Sequence, residues 1–360
     1  MRGTMGEAVV KKERQANIEL LRSVCMLFVI TLHYLDKGGV LEDLTAKQDI
    51  YGYLAWLLKS FAIVAVNTYV LISGYFLTDT GFKVRRIVNL VLQILFYTWT
   101  VPLILAAFGI ISFQGMGIYD FLFYLFPIQM KHYWFATSYL ILYILSPVLA
   151  AGVKELSQKT LERVLFAFLL LLSVGKSIIP FILDMDQRGY DALWFIGMFL
   201  TGAYIRKYGC RILTNKKRAF LCYAGSCVGI FVLANVIAVL VNKTGKGEYF
   251  ISNTFHYNHI LCYTGAVGLF LLFRYWNMKP GFLAKLAVAM GPYTFGVYLL
   301  HENTDIRYLW PKWLAVEKFG HTPYFLLHYV GSILFVFVIG IAVDKLRSLL
   351  FYVLRISKKP

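Results

Sequence analysis

The chain reads as an all-α integral membrane protein, a bundle of about ten transmembrane helices with both termini cytoplasmic, and three observations predict this. Hydrophobic residues fill 59% of its 360 positions and charged residues only 15%, with a mean hydropathy of +0.64, whereas soluble domains are roughly a quarter charged. Ten apolar stretches come close to the ~20 residues that cross about 30 Å of hydrocarbon. The basic residues, 36 Lys plus Arg against 19 Asp plus Glu, gather in alternate connecting segments. An aromatic content of 17% excludes a disordered chain. The five cysteines (25, 210, 222, 227 and 262) show no paired spacing and read as small apolar fillers.

The first span, 18–36, lacks a small-residue cleavage site and keeps Glu19 and Arg22 in its inner half, so it reads as a retained span and not as a cleavable signal. The others follow at 54–77, 87–110, 132–151, 162–180, 190–205, 219–241, 257–273, 286–301 and 325–349. With the N-terminus inside, the inner segments hold 24 basic residues, against 11 in the outer segments and span edges. That asymmetry sets the orientation. Residues 1–17 become a short basic cytoplasmic N-terminus and 350–360 a basic cytoplasmic tail of one transmembrane domain covering 1–360. Topology thus accounts for the net +17, and no nucleic-acid partner is expected. The outer segments are short, the longest being about 302–324, so any active site is built mainly by the helices. No repeat at a fixed period stands out, and no matched pair of interrupted helices suggests an inverted-repeat transporter.

Several residues do not belong in hydrocarbon. Arg22 and His33 are eleven apart, about 20° beyond three full helical turns, so they share a face about 16 Å apart along the axis. Glu19, three residues before Arg22, lies about 60° away on the same stripe. An intramembrane Arg is costly and should face a wet cavity or a partner. The stripe is either a site or a Glu19–Arg22 pair that ties helices together with His33 at the interface. Near the other span ends, Lys83, Arg85 and Arg86 form either a phosphate-binding mouth or an ordinary inside-positive loop. His301, beside Glu302, lies at nearly the depth of His33. Trp134, with Lys131, His132 and Tyr133, fits an interfacial aromatic belt. His256, His259 and Cys262 have a helical spacing that could ligate metal, but no fourth ligand is evident and no metal is expected. Gly225-x-x-x-Gly229 reads as a helix-packing notch.

The run Ile18-Glu19-Leu20-Leu21-Arg22 followed by His33 resembles the first-helix signature of the acyltransferase-3 family of integral membrane O-acyltransferases. Ser73-Gly74-Tyr75-Phe76-Leu77 with Phe82-Lys83-Val84-Arg85-Arg86 resembles that family's second-span end and basic loop. Trp134-Phe135 with Tyr139, Tyr143 and Pro147 is similar to its Trp-Phe span, and Tyr293 through Tyr298-Leu-Leu-His301 to its late Tyr-Leu-x-His span. One departure is Lys83 where some members carry the first Arg of Arg-x-x-Arg; Lys lacks the planar fork.

The resemblance implies transfer of an acyl group, usually acetyl, from cytoplasmic acyl-CoA (acetyl-CoA as donor substrate, with no permanently bound cofactor) to a hydroxyl of a glycan or lipid-linked sugar at the outer face. It also implies a bacterial plasma membrane, with membrane lipid around the protein. In that reading His33, with an ordinary pKa near ~6.5, is a general base or an acyl-carrying nucleophile. Arg22 holds the donor's polar arm or is fixed by Glu19, and Lys83, Arg85, Arg86, Trp134 and His301 contact substrate. An exporter of a surface polysaccharide and a non-catalytic partner of an envelope complex are the competing functions. The shared stripe of Glu19, Arg22 and His33 favours the enzyme.

Overall fold

The computed structural model describes residues 14–180 and 187–356. Most of the expected N-terminal segment, residues 1–13, and the last positions of the expected tail, 357–360, lie outside these. All regular elements among the described residues are helical. The first, α1 (Ala16–Lys37), carries Glu19 in its first turn and Lys37 in its last, signs that complement the helix dipole. Next, α2 (Ile50–Ala62) begins at Asp49, whose side chain accepts from the Gly52 N–H at 2.6 Å. A two-residue break at Ile63 and Val64 separates it from α3 (Ala65–Leu77). Then come α4 (Val84–Ala107), the short α5 (Ile118–Leu125) and α6 (Trp134–Glu155), with Pro102 inside α4 and Pro147 inside α6.

Ser157 caps α7 (Gln158–Leu169), which continues through a π turn at Leu170–Val174 into α8 (Gly175–Ile178). Asp191 caps α9 (Ala192–Tyr208), and Asn215 caps α10 (Lys216–Thr244), which ends at Gly245 in the left-handed region. After α11 (Glu248–Asn253), α12 (Ile260–Arg274) starts only beyond an extended His259. A 3-10 turn at Gly291–Tyr293, where Pro292 removes one N–H donor, divides α13 (Phe282–Met290) from α14 (Thr294–His301). The chain closes with α15 (Leu309–Trp313), α16 (Val316–Phe319) and the long α17 (Phe325–Val353).

Seven helical stretches among the described residues are long and apolar enough to cross a membrane: Ala16–Lys37, Ile50–Leu77, Val84–Ala107, Trp134–Glu155, Lys216–Thr244, Phe282–His301 and Phe325–Val353. The other three stretches that the sequence predicts are helical too, but shorter or interrupted. The 190–205 stretch is the 17-residue α9 and the 257–273 stretch the 15-residue α12, while 162–180 passes through the π turn.

Helix α1 runs through the middle, against α2, α3, α12, α13, α14 and α17, with Leu21, Cys25, Ile30 and Leu35 fully buried. Elsewhere several glycines allow close helix approach, Gly74 and Gly268 among them. A Cβ on Gly74 of α3 would lie 2.7 Å from the Phe199 Cα of α9, and one on Gly268 of α12 would lie 2.6 Å from the Tyr223 N of α10. The α10–α12 notch is therefore made by α12. Of the packing notch expected at Gly225 and Gly229, Gly225 has nothing within 4 Å, whereas a Cβ on Gly229 would lie 3.3 Å from the Leu261 side chain of α12. A buried carboxylate fastens α4 to α17: Asp344 accepts from Gln93 and Tyr97, each at 2.9 Å, and from Arg347 Nε at 2.6 Å.

At Gly74 the obstacle to a side chain is backbone, which cannot rotate away. Gly74→Val should therefore destabilise the protein by roughly 3 kcal/mol or more, the upper end of overpacking costs. Gly152→Val, on an open helix face with nothing within 4 Å, should change little. Thermal unfolding in detergent with a size-exclusion readout compares the two.

Candidate active site

The C-terminal end of α1 and the end of α14 meet at a histidine pair. His33 Nδ1 lies 2.9 Å from His301 Nε2, and His301 Nδ1 lies 2.6 Å from the Val297 carbonyl oxygen, one turn back. A carbonyl only accepts, so His301 carries its proton on Nδ1. A neutral His301 then presents Nε2 as an acceptor, and His33 must donate from Nδ1. The lone pair of His33 is left on Nε2, 3.3 Å from Glu302 Oε2. If that nitrogen gains a proton, a carboxylate is already beside it. Trp310 Nε1 donates to the His301 carbonyl at 3.1 Å and fixes the end of α14.

Glu302 is buried and shared among cations. Lys37, one turn beyond His33 on α1, forms an ion pair with it, and an Arg307 guanidinium nitrogen lies 3.6 Å from its other oxygen. A lone buried carboxylate would be strongly disfavoured; here it has two cations and an imidazole.

His33 and Glu302 line a cavity of about 910 Å³. Aromatic side chains form its walls. Trp134 lies 4.6 Å from Tyr190 and is stacked on Tyr257 at 5.8 Å between centroids. Trp56 packs on Phe255 at 5.0 Å, with the Lys59 ammonium 4.8 Å over the Trp56 ring and held by Asp36 at 2.7 Å. The loop 38–49 contributes Leu41, Glu42, Asp43 and Leu44 to the lining.

A second cavity, of about 360 Å³, opens beside the N-terminal half of α1. Arg22 and Arg86 line it together with Ser73, Tyr139 and Tyr143. Rings from the two linings are in contact. Tyr69, on the wall of the large cavity, donates to the Arg22 carbonyl at 2.7 Å. Phe135, also on that wall, is stacked on Tyr139 of the smaller one at 5.9 Å and 13°. Ser73 Oγ is 3.3 Å from the Tyr139 hydroxyl.

The residues expected from sequence thus divide into two groups at opposite ends of α1. His33 and Trp134 line the large cavity, with His301 buried behind His33 and outside the lining, and Arg22 and Arg86 line the small one. Glu19 lies 4.0 Å from Arg22 and packs against the Gly291 backbone. Lys83 and Arg85 are exposed at the start of α4 and do not line the small cavity; Tyr143 bonds only the Lys83 backbone, at 3.3 Å from its nitrogen. His259 and Cys262 turn to other partners. His259 Nδ1 accepts from the Leu261 N–H at 3.3 Å, and Cys262 Sγ lies 3.6 Å from the Ile63 carbonyl.

Sequence reasoning did not assign a role to Glu302, Lys37, Tyr69 or the aromatics of 248–257. A signal existed for two of them. Lys37 stands one helical turn after His33, and Glu302 directly follows His301.

The family model for the acyltransferase domain of acyltransferase-3 type matches residues 15–345, and the chain belongs to that family. Membership points to membrane acyl transfer, and the apolar helices agree with a multi-pass membrane protein. Comparison with curated proteins and with solved structures gives no match.

A latch holds the 38–49 loop on the cavity rim. His321, in the turn before α17, has Nδ1 3.1 Å from Asp49 Oδ2 and Nε2 3.0 Å from the Val40 carbonyl. Two acceptors satisfy both nitrogens only in the imidazolium. Partial burial opposes that charge. The bonds to Asp49 and Val40, with the nearby charges of Asp49 and Glu42, outweigh it and raise His321 above the ordinary histidine range. A raised pKa in the folded protein gives stability that is complete below about pH 6.5 and is lost as pH rises through the raised value. Trypsin cleavage at exposed Lys47 should therefore be faster in His321→Ala than in wild type at pH 6, and the ratio of the two rates should approach one at alkaline pH.

Proposed function

We propose that the chain is an O-acyltransferase that moves an acyl group, acetyl in the first instance, from cytoplasmic acyl-CoA to a hydroxyl of a cell-envelope polysaccharide or lipid-linked sugar at the outer face of a bacterial plasma membrane. Both termini are cytoplasmic in this reading. The observation that carries it is the pair of cavities at opposite ends of α1, one lined by Arg22 and Arg86 and the other by His33 and Glu302. A donor with phosphates on one side and a hydroxyl acceptor on the other need this division of labour.

In the small cavity Arg22 and Arg86 meet the polar arm of the donor, since guanidinium and phosphate form charge-assisted bonds. Lys83 and Arg85 add positive potential at the same mouth, and Glu19 limits the swing of Arg22. In the large cavity the apolar faces of a sugar pack on Trp134 and its aromatic neighbours, the common pattern of apolar walls with a few placed polar groups. His301 sets the tautomer of His33. The bare Nε2 of His33 takes the proton of the attacking hydroxyl, and Glu302 stabilises the resulting imidazolium. The acyl donor is a substrate, and no resident cofactor is invoked.

The decisive experiment supplies labelled acetyl-CoA to the cytoplasmic side of sealed membrane vesicles and recovers the envelope glycan fraction. Wild type should label the glycan, and His33→Ala should lower labelling to background with the protein still folded and inserted. Labelling at the wild-type rate in His33→Ala would remove the base and favour glycan export, which needs none.

Arg86 lies remote from the reacting carbon in this scheme, so its contact is mostly uniform binding. Arg86→Ala should raise KM for acetyl-CoA about tenfold, the equivalent of about 1.4 kcal/mol, with a smaller effect on kcat. A loss confined to kcat would move Arg86 into the chemistry.

A further inference from the structure

One buried phenol in the large cavity lacks an acceptor for its proton. Tyr298 of α14 is only 5% exposed, lines the cavity beside His33 and Glu302, and presents a buried hydroxyl that makes no well-formed hydrogen bond within the protein: the Phe135 N–H approaches its oxygen weakly, and its own proton has no acceptor. Among the described residues it is the one tyrosine with a hydroxyl in that condition. The bundle satisfies its other buried phenols. Tyr97 donates to Asp344 at 2.9 Å, Tyr133 to the Leu299 carbonyl at 2.8 Å and Tyr223 to the Phe61 carbonyl at 3.1 Å, while Tyr34 is 2.8 Å from a His328 nitrogen.

A buried hydroxyl proton without an acceptor costs free energy, and a phenylalanine of the same shape would avoid that cost. The ring already packs as a phenylalanine would, stacked on Phe295 at 5.9 Å and edge-on to Phe135 at 5.7 Å. The hydroxyl therefore calls for an acceptor that arrives from the cavity. Tyr298 lies three residues before His301 and four before Glu302, so all three share one face of α14, and its ring is edge-on to His301 at 6.3 Å.

We propose that the Tyr298 hydroxyl donates a hydrogen bond to the acyl carbonyl oxygen of the donor and holds the oxyanion formed as the acceptor attacks. The inference rests on the acyl-transfer reading above. The acceptor oxygen bonds to the acyl carbon, its proton passes to His33 Nε2, and the carbonyl π pair moves onto the oxygen facing Tyr298. On collapse that pair returns, the C–S bond breaks, and the departing thiolate takes the proton from His33. The products are the ester and free thiol. A donor fixed where negative charge develops acts mainly on the transition state.

Tyr298→Phe tests this in the purified full-length protein. Hydrolysis of acetyl-CoA by water, read as thiol release, uses the same carbonyl and needs no identified acceptor. The variant should lose about 10²–10³-fold in kcat with little change in KM, while its thermal midpoint stays equal to that of wild type or rises. A 13C-labelled ketone analogue of acetyl-CoA, with CH2 in place of sulfur, gives a second readout. Its bound carbonyl stretch should lie at lower frequency in wild type than in Tyr298→Phe. Equal kcat and equal stretch in the two proteins overturn the tyrosine assignment alone, as does a lowered thermal midpoint, which would make the hydroxyl structural. A rise confined to KM would make Tyr298 a ground-state binder and also overturn it. If wild type neither hydrolyses acetyl-CoA nor binds the analogue, the acyl-transfer reading falls, and this inference falls with it.

Discussion

A charge inside hydrocarbon must be paired or wet, and α1 carries enough ionisable groups to make this the governing constraint on the bundle. Lys37 and His33 at one end of the helix need a carboxylate. Glu302 supplies it from the far end of α14, 265 residues away in sequence. That requirement brings α14 beside α1, and the histidine pair follows, because His301 immediately precedes Glu302. Arg22 at the other end has Glu19 only at 4.0 Å, and so faces the second cavity. The two spaces are consequences of how one helix disposes of its charges.

The same constraint explains why the bundle is broken where it is. A straight twenty-residue helix through 282–301 would carry the Gly291-Pro292 pair in its middle. The 3-10 turn there lets Glu19 of α1 pack directly on Gly291 and leaves α14 as a separate rod of eight residues. On the other side of that rod, Asp344 lies against Gly296 and gathers Gln93, Tyr97 and Arg347. Helix α14 is thus braced by the buried carboxylate of Asp344 on one side and, at the turn that precedes it, by the half-buried Glu19, and Tyr298, His301 and the adjoining Glu302 are held in a fixed relation to His33.

Much of this was legible in the sequence because composition and spacing are local. Low charge and long apolar runs identify a helical membrane protein, and the eleven-residue interval from Arg22 to His33 puts both on one side of a helix. Hydropathy counts residues, however, and does not see capping. The 257–273 run loses its first turn because His256 and Asn258 lie in a bend and His259 is extended, so α12 starts at Ile260. Pairings across hundreds of residues leave no local trace. Nothing near Lys37 announces Glu302, and nothing near Trp134 announces Tyr257, which stacks on it. The expected glycine notch is only half used for the same reason, since Gly225 faces open space while Gly229 meets Leu261. Gly225 and Gly229 have the familiar spacing, but which face of α10 meets α12 is decided by the partner, and there Gly268 makes the approach.

The layer of rings formed by Tyr69, Phe135 and Tyr139 has an electrical consequence. In the proposed orientation the two cavities open to opposite sides of the membrane, and spaces of hundreds of cubic ångströms that admit water and ions would carry the potential of the adjoining phase almost to their floors. In an energised membrane the voltage that would spread over about 30 Å of hydrocarbon then falls mainly across the rings. Every unit charge carried over that distance exchanges about 2.3 kcal/mol per 100 mV with the field. A neutral thioester arm can pass such a layer without sensing the field, whereas a proton or a phosphate cannot. In the proposed acyl-transfer scheme the aromatic septum would let an uncharged acyl group reach His33 while the membrane stays insulated against ions.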